Sequence, residues 1–272
     1  YVLSYFKESY LSGITPNPCV KCNEVMKFGM LWEKATAEGV SFDYFATGHY
    51  ARIGQQNGRF ILQRGADEKK DQSYFLYRLT QERLSKTRFP HEKFTKDGVR
   101  NMARARGLAV ADKADSQDFY SGDYADLLEQ KPQKGEIVHV GGRVLGTHQG
   151  FWNYTIGQRR GLGIAYPVPL FVVDIDAEHN RVIVGEAEAT FVNEATVVQV
   201  VWGGLTDLSV SEKRVWAKYR SSGKLVGATM YPSENGMRVV FDEPQRAVTR
   251  GQSLVCYDKT DNISVLCGGI IA

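Results

Sequence analysis

No apolar run in this 272-residue chain approaches the roughly 18 residues that a membrane-crossing helix needs, so helical membrane spans are excluded. A secretory leader is missing from the opening as well, because Tyr1-Val2-Leu3-Ser4-Tyr5-Phe6-Lys7-Glu8 is mixed and charged. That opening also lacks a methionine, which places the expected N-terminus upstream of Tyr1. Cysteine is scarce. Four thiols are too few for a disulfide scaffold and fit a reducing compartment, with the cytoplasm as the expected location. There is no internal repeat and no low-complexity stretch. A strong excess of one charge is absent too: 34 basic against 31 acidic residues leave a net charge of +3. Such a balance admits a nucleic-acid partner, but the signature of one is a clustered patch rather than a mild excess.

What is present falls into two regimes, and the length suggests two domains or three. Up to about residue 130, helical patterns alternate with short strands, as in an α/β layer. Val25, Phe28, Trp32 and Ala35 are spaced as one helix face ending at Gly39. The run 42–47 reads as a strand leading into Gly48-His49, and 59–63 as another. Residues 71–84 read as a helix, and so do 95–107, with Thr95 as N-cap and Gly107 closing it. From about residue 135 helices nearly vanish. Residues 136–140, Gly141-Gly142 and 143–146 form a hairpin signal, and 170–175 and 181–184 flank a turn at 177–180. The segments near 195–202, 213–219, 225–231, 237–241, 253–258 and 263–271 are spaced for a small barrel or sandwich.

Cys19-Val20-Lys21-Cys22 is the chemical feature with most content. A zinc site needs two further ligands, and Cys256 and Cys267 lie within predicted strands, which makes them poor partners. A thioredoxin-like pair belongs to a different βαβ context. The remaining reading is a reactive thiol. Pro16 and Pro18 stiffen the turn, and the following helix and Lys21 favour the thiolate, so a thiol here suits nucleophilic attack or persulfide carriage.

Thr15-Pro16-Asn17-Pro18 through Cys22-Asn23, followed by Lys27-Phe28-Gly29, resembles the cysteine loop of the tRNA-specific 2-thiouridylases. The resemblance continues in order through Ala46-Thr47-Gly48-His49-Tyr50-Ala51, Lys70-Asp71-Gln72-Ser73-Tyr74-Phe75-Leu76 and Lys113-Ala114-Asp115-Ser116-Gln117-Asp118. Gly157-Gln158-Arg159-Arg160-Gly161-Leu162-Gly163 and Gly251-Gln252 extend it over nearly the whole chain.

The resemblance implies three parts: an α/β domain of ATP-pyrophosphatase type (adenine nucleotide alpha hydrolase-like, incomplete here) over 1–120, a small central domain over 121–187 and an all-β barrel over 188–272. It implies an ATP- and Mg²⁺-dependent enzyme. The C2 oxygen of the wobble uridine in tRNA is adenylated, and a cysteine persulfide, supplied by a sulfur-relay protein or cysteine desulfurase, then delivers sulfur. By position, Cys22 matches the sulfur-bearing cysteine. Asn17, Pro18 and Cys19, and likewise Lys70, Asp71 and Gln72, match segments that meet the target base or the tRNA. Gly48 matches an ATP contact, and a strand's carboxyl end is where open α/β sheets bind ligands. His49 is either a packed histidine or a chemical group. Lys218, Tyr219 and Gln252 match tRNA contacts, with Tyr219 equally readable as barrel core. Arg159 and Arg160 suit phosphate oxygens or a solvated loop.

Three departures from the family pattern stand out. The Ser-Gly-Gly-x-Asp-Ser loop that cradles phosphate is absent and is expected upstream of Tyr1; without its N–H donors these residues alone are expected to be inactive. Tyr120 occupies the position where a second, resolving cysteine is usual, and a phenol cannot exchange with a disulfide. Cys19 stands where many relatives carry aspartate. It is therefore either a substitute resolving thiol or, with Cys22, part of an iron–sulfur site. A rival expectation is a non-catalytic tRNA-binding module derived from the same family.

Overall fold

The computed structural model describes the chain except for residues 115–119, 121, 123 and 206–209. Four residues of the Asp115-Ser116-Gln117-Asp118 motif, and Phe119 and Ser121 beside Tyr120, therefore lie outside the described residues. The side chains of Tyr124 and Ala125 are likewise not described.

Three apolar cores organise the molecule. The first surrounds the helix that carries the cysteines. Helix α1 (Val2–Leu11) precedes it, and the helix itself runs through α2 (Pro18–Lys21), a wider segment Cys22–Met30, and α3 (Leu31–Ala37). Phe28 and Trp32 are buried, as their spacing predicts, and Gly39 at φ +78° ends the run. Strands β1 (Phe45–Ala46) and β4 (Thr87–Arg88) pair in parallel, the signature of an α/β layer, while β2 (Ala51–Gln56) and β3 (Arg59–Arg64) form a hairpin. Its turn is Asn57-Gly58, both residues at positive φ.

Two elements differ from expectation. The strand over 42–47 shrinks to two residues because β4, its only partner among the described residues, is just as short. The helix over 71–84 is replaced by a single tight turn, Ser73–Phe75, a connecting stretch and the short helix α4 (Gln81–Ser85). The Asp71 carboxylate accepts the Gly65 and Ser73 N–H groups, each at 3.1 Å, and so binds the chain into a loop. Tyr74, Leu76, Tyr77 and Leu79 are all buried, which no single helical stripe can achieve. The helix near 95–107 forms as α5 (Lys96–Ala105), with Thr95 Oγ1 accepting the Gly98 N–H at 3.2 Å and Gly107 at φ +66°.

The second core is central. After the short helix α6 (Tyr124–Leu128), strands β5 (Gly135–His139), β6 (Val144–His148), β7 (Phe171–Asp176) and β8 (Arg181–Gly185) form a sheet in the order β6-β5-β8-β7. Phe6 of α1 is fully buried in this core rather than in the first. The third core fills a closed antiparallel barrel. Its strands are β9 (Phe191–Val201), β10 (Lys213–Lys218), β11 (Val226–Ser233), β12 (Gly236–Arg246), β13 (Ser253–Asp258) and β14 (Val265–Ile271), in the order β10-β11-β12-β9-β14-β13. All six predicted segments are strands. Val255, Tyr257 and Val265 point outward from this barrel into the first core, so barrel and cysteine helix share one apolar layer.

Candidate active site

The site is built upward from the cysteine loop. Asn17 caps the helix, its Oδ1 accepting the Val20 N–H at 3.4 Å, and Pro18 follows at the first helical position, where a missing N–H costs nothing. The loop is then clamped from two sides. Asn17 Nδ2 donates to Tyr74 Oη at 3.3 Å, and Tyr74 Oη donates to the Ser253 carbonyl at 2.9 Å. Gln252 Nε2 donates to the carbonyls of Thr15 (3.2 Å) and Pro16 (2.8 Å), and the Thr15 N–H donates to the Arg250 carbonyl at 3.0 Å. Gly251 (φ +87°) passes so close that a Cβ would collide with Ile14 and the Thr15 carbonyl. Barrel residues 250–253 therefore hold the cysteine loop in place. Asn17 and Gln252, matched by sequence to target-base and tRNA contacts, are in this structure clamp residues.

Cys19 lies in the first helical turn and Cys22 in the next, both half-buried and neither in a disulfide. From Cys22 the helix widens, with the Leu31 N–H reaching back to the Met26 carbonyl, a geometry that recurs at functional sites. Buried Asn23 holds this stretch through Nδ2 to the Phe75 carbonyl at 3.3 Å, while its Oδ1 is buried without a partner. The Lys21 ammonium is directed elsewhere: its Nζ lies 3.5 Å from Glu24 Oε2, and Arg78 binds the same carboxylate at 2.7 Å. The cation assigned to the thiols from sequence is thus partnered by Glu24, leaving the helix start as the electrostatic feature beside Cys19.

Gly48 is exposed just beyond the carboxyl end of β1, its carbonyl 3.0 Å from His91 Nδ1. His49 is buried, its ring 6.0 Å from those of Phe28 and Phe89 and its Nδ1 2.8 Å from Thr47 Oγ1. Burial, aided by Lys27, holds its pKa down at about 4, so it is neutral near pH 7. This is the packed histidine of the two readings. Gln72 and Tyr50 exchange hydrogen bonds, Tyr50 N–H to Gln72 Oε1 at 3.0 Å and Gln72 N–H to the Tyr50 carbonyl at 2.9 Å, and thereby join the two motif loops. Asp71 turns inward, its side chain 1% exposed and 3.5 Å from Arg64 Nε. Lys70 is exposed on the rim of a cleft of about 720 Å³ that Lys69, Lys96 and Lys113 also line. Lys218 Nζ lies 5.8 Å from the Tyr74 ring centre, and burial lowers its pKa.

Arg159 lines a second cleft of about 600 Å³ with Thr15, Gln252, Arg220 and Arg246, so it does meet the cysteine loop; Arg160 is exposed and lines neither cleft. Tyr219 is barrel core, its hydroxyl donating to Gln245 Oε1 at 3.1 Å. Sequence reasoning did not find Tyr74, Ser253, Arg220 or Arg246. Tyr74 lay within a quoted motif, but nothing in the letters joined it to position 253.

Among the described residues no group of three or more His, Cys, Asp or Glu is gathered to hold a metal ion. Cys256 and Cys267 face each other across β13 and β14, fully buried in the barrel, and cannot join Cys19 and Cys22 around a cluster. The thiols present do not fit the four-cysteine ligation of an iron–sulfur centre.

Family models match the chain in three consecutive stretches: a tRNA methyl transferase HUP domain over residues 1–120, a tRNA methyl transferase PRC-barrel domain over 125–186 and an aminomethyltransferase beta-barrel domain over 193–271. Among similar proteins, the tRNA-specific 2-thiouridylase MnmA of Endomicrobium trichonymphae is 46% identical over 275 residues, covering 99% of this chain and 75% of that protein. The proteins of the same name from Acetivibrio thermocellus and Nostoc sp. are each 44% identical, with 76% and 78% of their lengths covered. With three consecutive domain models matched and identity sustained over nearly its whole length, this chain belongs to the tRNA-specific 2-thiouridylases, a family of sulfurtransferase enzymes.

Proposed function

We propose that this protein 2-thiolates the wobble uridine of tRNA with Cys22 as sulfur carrier and Cys19 as the thiol that releases the sulfur. One observation carries the reading: Cys19 and Cys22, neither of them in a disulfide, are half-buried thiols on consecutive turns of a helix whose start is clamped by Gln252 and Tyr74. A uracil carbonyl oxygen is a poor leaving group, and ATP, the second substrate, supplies the AMP that makes it a good one. The exposed backbone of Gly48 at the strand end fits a nucleotide contact, because a side chain there would crowd His91. Any Mg²⁺ would enter with the ATP phosphates, since no described carboxylate group is gathered for it.

The sulfur step balances on the two thiols. The terminal sulfur of a Cys22 persulfide attacks C2 and AMP leaves with its bonding pair. Cys19 thiolate then attacks Cys22 Sγ. The bond between Cys22 and the transferred sulfur breaks, that sulfur keeps the electron pair as the new thiocarbonyl, and a Cys19–Cys22 disulfide remains. An external thiol reductant restores the pair, and a sulfur-relay protein or cysteine desulfurase reloads Cys22. Tyr120 cannot serve as resolving group.

In the full-length enzyme, Cys22→Ser is expected to abolish thiolation. Cys19→Ser should allow at most one turnover and accumulate a tRNA–Cys22 mixed disulfide, which dithiothreitol releases. Undiminished multiple turnover by Cys19→Ser removes Cys19 from the mechanism. These 272 residues contain no Ser-Gly-Gly-x-Asp-Ser loop, and by themselves they are expected not to transfer sulfur in an ATP-dependent assay.

A further inference from the structure

We infer that the turn between β10 and β11, Arg220-Ser221-Ser222-Gly223, is a saddle over which a tRNA backbone passes, with phosphates held on both of its sides. The inference rests on tRNA being the substrate and assigns residues to its grip. Ser221 and Ser222 are exposed and line both clefts, the one of about 600 Å³ and the one of about 720 Å³, so the two are continuous across the turn. On one side stand Arg159, Arg220 and Arg246, and on the other Lys69, Lys70, Lys96 and Lys113. Among the described residues, the only carboxylate lining either cleft is Asp71, which is turned inward and 1% exposed.

The arginine side is a built site rather than a solvated fringe. The Arg246 guanidinium lies 4.1 Å from the Phe171 ring centre and its Nε donates to Thr190 Oγ1 at 3.2 Å. Arg220 donates to the Arg246 carbonyl, and its guanidinium lies 5.0 Å from the Tyr219 ring centre. Both side chains are thus fixed by rings and neutral oxygens, and among the described residues neither they nor Arg159 form an ion pair. Guanidinium groups gathered without a carboxylate repel one another, and a phosphodiester with its paired oxygens relieves this. Two such clefts divided by small hydroxyl side chains suit an extended polyanion better than a single small anion. The floor leads to the active site: Thr15 and Gln252 line the arginine cleft, and Gln252 holds the cysteine loop.

The test is binding of unmodified tRNA to the protein across a salt series. Each lost phosphate contact lowers the slope of log K against log salt by roughly 0.7–0.9. Arg220→Ala with Arg246→Ala is expected to weaken binding about tenfold or more and to flatten the slope by about one contact or more, whereas Arg220→Lys with Arg246→Lys keeps most of the slope. Because these arginines also touch the domain junction, Ser221→Glu with Ser222→Glu supplies an independent variant at exposed positions. It should weaken binding about tenfold with an unchanged melting temperature. Wild-type affinity and slope in the alanine and glutamate variants alike would overturn the saddle while leaving tRNA as substrate. Failure of the unmodified protein to bind tRNA at any salt would overturn both.

Discussion

His49 shows what a single residue's surroundings impose. Unfolded, its imidazole protonates near pH 6.5; folded, burial holds the pKa at about 4. The folded-state value is depressed, so this histidine leaves stability untouched above pH 6.5 and removes it as pH falls toward 4, by on the order of 3 kcal/mol in full. Urea midpoints at pH 7 and pH 4.5 should differ more for the natural protein than for His49→Phe, and equal differences would contradict the assignment. Residue-scale roles were the least legible part of the sequence. The resemblance matched Asn17, Asp71, Gln252 and Tyr219 to substrate contacts; that each also makes intramolecular bonds was not legible, because a motif does not say which way a side chain turns. Conversely, Tyr74 was visible within its motif, and only the fold brings its hydroxyl between Asn17 and Ser253.

Among the elements, the cysteine helix depends on a barrel turn more than two hundred residues away in the chain. Gln252→Ala removes two hydrogen bonds to the loop carbonyls, about 1–2 kcal/mol in sum. Hydrogen exchange at residues 15–20 should accelerate by about tenfold while the barrel strands keep their protection; unchanged exchange there would show that the clamp is not needed. Element type was read well wherever the pattern was strong, as in α5 with its Thr95 cap or the strands of the barrel. It failed over 71–84, where the Asp71 carboxylate and the burial of residues on every side hold a loop that alternation alone cannot distinguish from a helix. Asn57-Gly58, at the tip of the β2–β3 hairpin, is a clear turn signal just ahead of strand 59–63.

At the scale of the molecule, Gly157 marks a close junction between the central domain and the barrel. At φ +87° it brings the central domain against the barrel so closely that a Cβ would sit 2.7 Å from that of Ala247. Gly157→Ala should cost about 1–2 kcal/mol from the left-handed conformation alone. By prising open the arginine cleft it should also weaken tRNA binding; a variant with the natural melting temperature and affinity would contradict a tight junction here. The division into α/β, central and barrel parts was legible because strand spacing and helix periodicity survive any packing. How the parts share surfaces was not, since contacts such as Tyr257 with the cysteine-helix core depend on the folded barrel. The chemistry proposed for the whole rests on two thiols, and mass mapping of all four cysteines after a single turnover of the full-length, persulfide-loaded enzyme tests it most directly. A Cys19–Cys22 disulfide formed in equal amount with 2-thiouridine is the predicted result; thiolated tRNA with Cys19 still a free thiol would contradict it.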